Sequence, residues 1–302
     1  MEKHVHQGGE NRAGNIIYLM FLVIVWASSF SIYKVALGHT PPLLFAGLRS
    51  LLAGLLLGIW IVYRDRGAQI RWRQCWPIYL LSALLNTVLF YGFQTVGIDY
   101  LPSGLMSVLV YFQPVLIGVL AWIWFGEAMN ALRIIGLVLG FLGVVAVSWE
   151  GIHGQVSAAG IACGLAAAVS WAVGSLYVKK VFQQVDAMWM LTWQSLIGGA
   201  VLTVIGLGTE DWTAIAWNMP FWAGMLFGGT LGIPAAFYIY FKMISLGEAS
   251  RIASVTYLVP LLAVIIGTVF LSEPLSASLL IGFALIGSGI YLTNRNPGAP
   301  AK

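Results

Sequence analysis

Arg49 lies inside an unbroken apolar run, about six residues into a helix expected over 43–63. At 1.5 Å per residue that places its guanidinium roughly 9 Å from the helix start. A guanidinium there could grip a carboxylate or phosphate through two parallel hydrogen bonds. It could equally reach outward along its methylenes or pair with Asp99. The other polar residues of the apolar runs are mostly neutral: Asn86, Gln94, Gln113, Ser175, Gln194 and Thr256. Aromatic residues accompany them, notably Trp26, Trp171, Tyr91, Tyr111, Tyr238 and Tyr257. A cavity lined by such groups suits an amphipathic solute that is neutral or zwitterionic. The competing reading is interfacial aromatic belts and amides that bond helices together. Pro114 and Pro260 interrupt two further runs, as hinges or as static kinks.

The acids and histidines are placed differently. None of the 11 Asp and Glu residues falls in the middle of an apolar run, and His4, His6, His39 and His153 lie in tails or connections. Glu127 and Glu273 each precede the last helix of a half, where a carboxylate complements the helix dipole. Lys34 and Lys179 stand near helix ends and read as interfacial anchors. Cys75 and Cys163 form neither a metal-ligand spacing nor a disulfide framework. No nucleophile and base meet at depth, so an intramembrane enzyme is disfavoured. No Gly-x4-Gly-Lys-Ser/Thr loop or soluble domain is present to power a pump with nucleotide. No cofactor and no metal is expected.

The elements that must position these residues follow from composition. Of 302 residues 60% are hydrophobic and 9% charged, and mean hydropathy is +0.88. An ordinary soluble domain carries about 25% charge. The expected class is an all-α integral membrane protein. A span needs about 20 apolar residues, so ten spans use roughly 200 and leave about 100 for short connections. Ten are expected: 16–37, 43–63, 77–96, 103–125, 131–149, 158–178, 188–207, 220–241, 252–271 and 276–293. A β-barrel is excluded, because the runs are long and lack period-2 alternation.

With the N-terminus inside, Lys3, Arg12, Arg64, Arg66, Arg71, Arg73, Arg133, Lys179, Lys180, Lys242, Arg251, Arg295 and Lys302 all fall on the inner side. That is 13 of 15 positives, and only Lys34 and Arg49 remain. The positive-inside rule therefore predicts both termini in the cytoplasm. The net charge of +4 is then a topology signal and requires no nucleic-acid partner. The partners expected are a small-molecule substrate and the lipid bilayer, with the chain a monomer or weak homodimer. Glycine pairs at four-residue spacing, Gly54/Gly58, Gly136/Gly140, Gly160/Gly164 and Gly224/Gly228, predict close helix packing.

The halves repeat each other. Trp26-Ala-Ser-Ser-Phe-Ser-Ile-Tyr-Lys34 aligns with Trp171-Ala-Val-Gly-Ser-Leu-Tyr-Val-Lys179, and Arg49-Ser-Leu with Gln194-Ser-Leu. Phe90-Tyr91 aligns with Phe237-Tyr238; Tyr111, Pro114, Glu127, Gly136 and Gly143 align with Tyr257, Pro260, Glu273, Gly282 and Gly289. The parts expected are a tail 1–15, a five-helix repeat 16–149, a second repeat 157–293 and a tail 294–302. Five helices are an odd number, so the second copy enters from the opposite face. That is an inverted-topology repeat, whose halves can exchange slightly different shapes.

These residues carry a resemblance. The Trp26, Phe30, Lys34 stretch, Pro41-Pro42 with Leu48-Arg49, and Tyr100-Leu-Pro-Ser-Gly104 through Pro114 to Gly126-Glu127 and Gly136 resemble the EamA-type branch of the drug/metabolite transporter superfamily. The second copy keeps Pro260, Glu273 and Gly282 but has Gln194 for the arginine and Ser175 for the phenylalanine. The resemblance covers about 15–149 and 157–293. It implies ten helices in two repeats and transport of small metabolites, often export of amino acids or related compounds. The polar and aromatic residues above are the candidates for substrate binding, and the expected location is multi-pass in the bacterial plasma membrane. Without an intramembrane acid or histidine, facilitated diffusion or exchange is expected over proton coupling. A channel or lipid scramblase on the same fold is the competing class.

Overall fold

The computed structural model describes residues 3–64, 72–126, 131–152, 156–245, 256 and 258–294. Among them every regular element is helical and no strand occurs. The helices are α1 (Lys3–Leu37), α2 (Pro42–Arg64), α3 (Trp72–Ala83), α4 (Phe90–Tyr100), α5 (Ser103–Val110), α6 (Gln113–Phe125), α7 (Ala131–Ile152) and α8 (Ala158–Val181). They continue with α9 (Ala187–Thr209), α10 (Met219–Leu226), α11 (Ala236–Ser245), α12 (Leu258–Leu271) and α13 (Ala277–Asn294). Seven rods are long and apolar enough to cross a membrane: Gly14–Leu37, Pro42–Arg64, Trp72–Tyr100, Ser103–Trp124, Ala158–Val181, Ala187–Thr209 and Met219–Met243. Ile134–Ala146, Leu258–Leu271 and Ala277–Leu292 are shorter apolar helices.

Three rods are not regular. The rod Trp72–Tyr100 widens to a π-helix over Leu84–Leu89, and Met219–Met243 widens over Phe227–Ala235. The two widenings fall at matching places in the two halves. The third irregularity lies where an unbroken helix 103–125 was expected. Pro114 has no N–H for the Val110 carbonyl, and its ring crowds that carbonyl. The helix stops at Val110, passes through Tyr111–Phe112 and restarts at Gln113. Pro260 lies in α12, buried among its first described residues.

Polar side chains set several helix starts. Ser157 Oγ accepts from the Gly160 N–H at 3.2 Å, Asp186 Oδ1 from Met188 and Trp189 at 2.9 Å each, and Asn218 Oδ1 from Phe221 at 3.2 Å. Asp211 accepts from the N–H and hydroxyl of Thr213. Those bonds favour its ionised form and hold the carboxyl below the usual range.

The most extensive packing joins counterpart helices of the two halves: α2 with α9, and α7 with α13. Small residues permit it. A methyl group at Gly199 would stand 2.7 Å from the Leu51 nitrogen and 3.0 Å from the Gly47 oxygen. One at Gly289 would stand 2.5 Å from the Gly136 oxygen and 2.7 Å from the Gly140 nitrogen. Backbones in such contact gain dispersion that a lipid tail cannot supply. The predicted glycine pairs serve this role: Gly160 faces Leu101, Gly164 faces Leu109, Gly224 faces Ala36 and Phe45, and Gly54 faces Leu196.

One end of the bundle is tied by two glutamates that cross between halves. Glu210, at the end of α9, accepts from the N–H groups of Leu43 and Leu44 at 2.9 Å each, at the start of α2. Glu273 accepts from Ser103 N–H at 2.6 Å, Gly104 N–H at 3.0 Å and Ser103 Oγ at 3.0 Å, at the start of α5. A carboxylate at a helix N-terminus was the expected chemistry, but the helix is a different one. The start of α13 is capped by Ser276, whose Oγ accepts from Leu279 N–H at 3.2 Å. Ser272, with φ of 54°, makes the left-handed turn that aims Glu273 back across the bundle. Gly126, its counterpart, has φ of 64° without the Cβ penalty. Glu127 lies outside the described residues.

Candidate functional site

A cavity of about 540 Å³ lies between the two halves. Its walls come from α1 (Trp26), the π-helical segment and α4 (Asn86, Phe90, Tyr91), the break and α6 (Tyr111, Gln113, Pro114), α8 (Trp171, Ser175), α9 (Gln194) and α11 (Phe237, Tyr240, Phe241), with Thr256. The walls continue to Lys179, Phe182 and Gln183 at the C-terminal end of α8. Among the described residues that line it, none belongs to the opposite, Lys34-bearing end. The cavity therefore reaches one end of the bundle and stops short of the other.

The closed end is held by polar contacts. Lys34 Nζ donates to the carbonyls of Ile98 at 2.8 Å and Asp99 at 2.7 Å, at the end of α4. Ser31 and Ser103 share a hydrogen bond of 3.1 Å, and Ser103 is also held by Glu273. Lys34 was expected as an interfacial anchor. Its two hydrogen bonds tie α1 to α4.

The rings lock one another. Trp171 stacks on Phe90 with centroids 5.0 Å apart and meets Tyr111 edge-on at 5.6 Å. Trp26 contacts Phe237 and Tyr240, each at 5.9 Å. Gln113 Nε2 donates to Ser175 Oγ at 3.3 Å, joining the two halves across the cavity. Asn86 Nδ2 and Gln194 Oε1 are buried without a protein partner among the described residues. A buried amide group without a partner costs about 1–3 kcal/mol.

Behind the rings a smaller chamber of about 50 Å³ continues toward the closed end. Trp26, Phe90, Tyr91, Tyr111, Trp171 and Phe237 line both spaces, and Ser29, Tyr33, Arg49 and Gln94 line only the smaller. Arg49 is 1% exposed. Its guanidinium carbon sits 4.1 Å from the Tyr33 ring centre and 4.9 Å from that of Tyr91. Its Nε and Nη2 have no hydrogen-bond partner among the described residues. It neither reaches outward nor pairs with Asp99, whose side is exposed. Burying an unpaired ion costs several kcal/mol. A desolvated cation–π contact returns about 2 kcal/mol. The Phe45 ring centre also lies 5.6 Å from the guanidinium carbon, and none of the three rings gives Nε or Nη2 a hydrogen bond. Gly228 lets the π-helical segment lie against the Arg49 methylenes, where a Cβ would collide.

Of the residues singled out from sequence, Trp26, Asn86, Tyr91, Tyr111, Gln113, Trp171, Ser175 and Gln194 line the main cavity, with Pro114 in its wall. Arg49 and Gln94 line the smaller chamber. Tyr257 lies outside the described residues. Tyr238 is corrected: it packs on Trp60 at 5.3 Å, and its hydroxyl accepts from Arg64 Nη1 at 3.2 Å. A helix turns about 100° per residue, so Phe237 faces the cavity and its neighbour Tyr238 does not. Tyr238→Phe is therefore expected to leave solute binding within twofold of wild type, measured by competition on the purified protein. Phe90, Tyr33 and Phe237 were missed. The Phe90/Phe237 pairing between the two repeats is the signal in the sequence for two of them.

An all-helical bundle with membrane-length apolar rods and an aromatic cavity between two similar halves belongs to the class of membrane transporters. The description "EamA-like transporter family" matches the chain twice, at residues 14–149 and 158–295, and the chain belongs to that family. It is 46% identical over 278 residues to an uncharacterized transporter, YvbV, of Bacillus subtilis, covering 92% of this chain and 90% of that one. It is 28% identical over 292 residues to a probable amino-acid metabolite efflux pump of Salmonella typhimurium, covering 90% and 92%. A solved crystal structure with 19% identity superposes with a TM-score of 0.65, covering 93% of this chain and 97% of that one, a likeness of fold alone.

Proposed function

We propose that this protein is a secondary carrier that moves small amphipathic metabolites, amino acids or related compounds, outward across the bacterial plasma membrane. The single observation that carries the reading is the aromatic cavity between the two family copies, open along α8 and stopped by the Lys34, Ser103 and Glu273 contacts. In this reading ten helices form two inverted five-helix repeats with both termini in the cytoplasm. The described state then faces inward. Exchange of shape between the halves closes the Lys179 end and opens the Lys34 end. The Salmonella relative's name, an amino-acid metabolite efflux pump, supports the direction and the class.

Counterflow in proteoliposomes tests it. Vesicles preloaded with unlabelled solute should accelerate uptake of the same labelled solute, drawn from a panel of amino acids and aromatic acids. A carrier responds to preloading; an open channel or scramblase does not. Trp171→Ala removes the ring that Phe90 and Tyr111 pack against, and counterflow is expected to fall at least tenfold. Full activity in that variant would place the solute elsewhere.

A further inference from the structure

The smaller chamber has a distinct chemistry. Arg49 lines it at 1% exposure, and its Nε and Nη2 are buried without a hydrogen-bond partner among the described residues. Among the described residues that line the two spaces none is Asp or Glu. The chamber holds about 50 Å³, little more than the ~30 Å³ that one water occupies in the liquid. That admits one head group of about a carboxylate's size and leaves the rest of a solute in the larger cavity. The six rings and side chains shared with the 540 Å³ cavity join the two spaces, so a solute anchored at Arg49 lays its body among Phe90, Trp171 and Phe237.

We infer that the Arg49 chamber is an anion subsite, and that the solute it selects is an organic monocarboxylate with an apolar or aromatic body. The inference rests on the carrier reading and narrows its substrate class. A planar guanidinium bonds a carboxylate through two parallel contacts, and Nε with Nη2 is one such edge. The guanidinium lies over the Tyr33 and Tyr91 rings, and no described residue gives its Nε or Nη2 a hydrogen bond. A zwitterion fits less well. The ammonium of an α-amino acid is attached to the carbon beside the carboxylate. It would stand within about 5 Å of Arg49 in a low-dielectric space, where like charges repel strongly. Ser29, Tyr33 and Gln94 offer it only neutral groups, and among the described residues that line the chamber no carboxylate compensates. Of the solutes considered from sequence, this inference favours the carboxylate that Arg49 could grip over a neutral or zwitterionic one.

The test is competition binding on purified protein in detergent with three ligands of one shape: 3-phenylpropionate, 3-phenylpropionamide and phenylalanine. The carboxylate is expected to bind at least tenfold tighter than the amide and tighter than phenylalanine. In Arg49→Gln the carboxylate–amide ratio is expected to fall below threefold. Glutamine is the residue at the matching place of the second copy, Gln194, which favours a folded variant. Arg49→Lys keeps the charge and the methylenes but loses the fork. Its ratio should fall several-fold, and it decides the matter if Arg49→Gln elutes as aggregate. Equal binding of amide and carboxylate, tighter binding of phenylalanine, no binding of any of the three, or an undiminished ratio in both variants each overturns the inference. Binding is read without transport. Carboxylate preference without counterflow would remove the carrier reading and leave the subsite standing.

Discussion

Gly199→Val is expected to abolish recovery of folded protein. The α2–α9 crossing brings two backbones together at Gly47 and Gly199, and a Cβ at residue 199 would meet the Leu51 nitrogen at 2.7 Å and the Gly47 oxygen at 3.0 Å. Neither atom is a flexible side-chain end that can swing away, so the helices must separate. Overpacking a well-packed contact costs about 1–3 kcal/mol and more where backbone must move. The loss spreads along the crossing. Leu51, Leu44 and Leu196 pack beside Gly199, Gly206 and Gly54, and all three contacts loosen together. In a membrane no hydrophobic force pushes the helices back, since lipid is as apolar as leucine. Thermal melting and gel filtration of the detergent-solubilised variant measure the outcome, with Gly208→Val as the control. A Cβ at Gly208 meets nothing within 4 Å. A monodisperse Gly199→Val protein melting within a few degrees of wild type would contradict the crossing.

Glu273→Ala should open the Lys34 end. Its carboxylate accepts three hydrogen bonds from Ser103 and Gly104, two of them from N–H groups at the start of α5. Those N–H groups have no partner within their own helix. Charge-assisted bonds at a helix start are among the stronger ones. Alanine leaves the donors stranded in the closed form, whereas water meets them in an open one. The closed form should lose about 2 kcal/mol relative to the open form, a shift of about thirtyfold in their ratio. Gln94→Cys, in a protein with Cys75 and Cys163 replaced, provides the reporter, because Gln94 is buried and lines the smaller chamber. A membrane-impermeant maleimide applied from the Lys34 side should label that cysteine about thirtyfold faster when Glu273 is alanine. Glu273→Gln keeps one acceptor and should fall between. An unchanged labelling rate would show that the Ser103 contacts do not hold that end.

Much of the architecture was legible because it is written in composition and period. Sixty per cent hydrophobic residues and 9% charged ones leave no other solvent than lipid. The offsets that pair Trp26 with Trp171 and Pro114 with Pro260 disclosed the duplication that the family match reports at 14–149 and 158–295. Eight of the polar and aromatic residues chosen by type line one cavity, because a helix in lipid turns its polar face inward. Tyr238 failed for a reason of the same kind. Adjacent residues of a helix face different directions, and a repeat alignment alone does not say which of the pair Phe237-Tyr238 looks inward.

What the sequence alone determined was the solvent, the duplication and the types of side chain available. Those depend on local runs and fixed offsets, which any single strand of text displays. Only the tertiary structure decided partners. Glu273 was legible as a carboxylate suited to a helix N-terminus, yet the helix is α5, 170 residues earlier, and not the adjacent α13. Arg49 was legible as a buried cation with three possible fates. Its fate rests on Tyr33, Tyr91 and Gly228, which come from three different helical rods. A charge in lipid takes its meaning from what lies within a few ångströms, and that distance is set by packing across the whole chain.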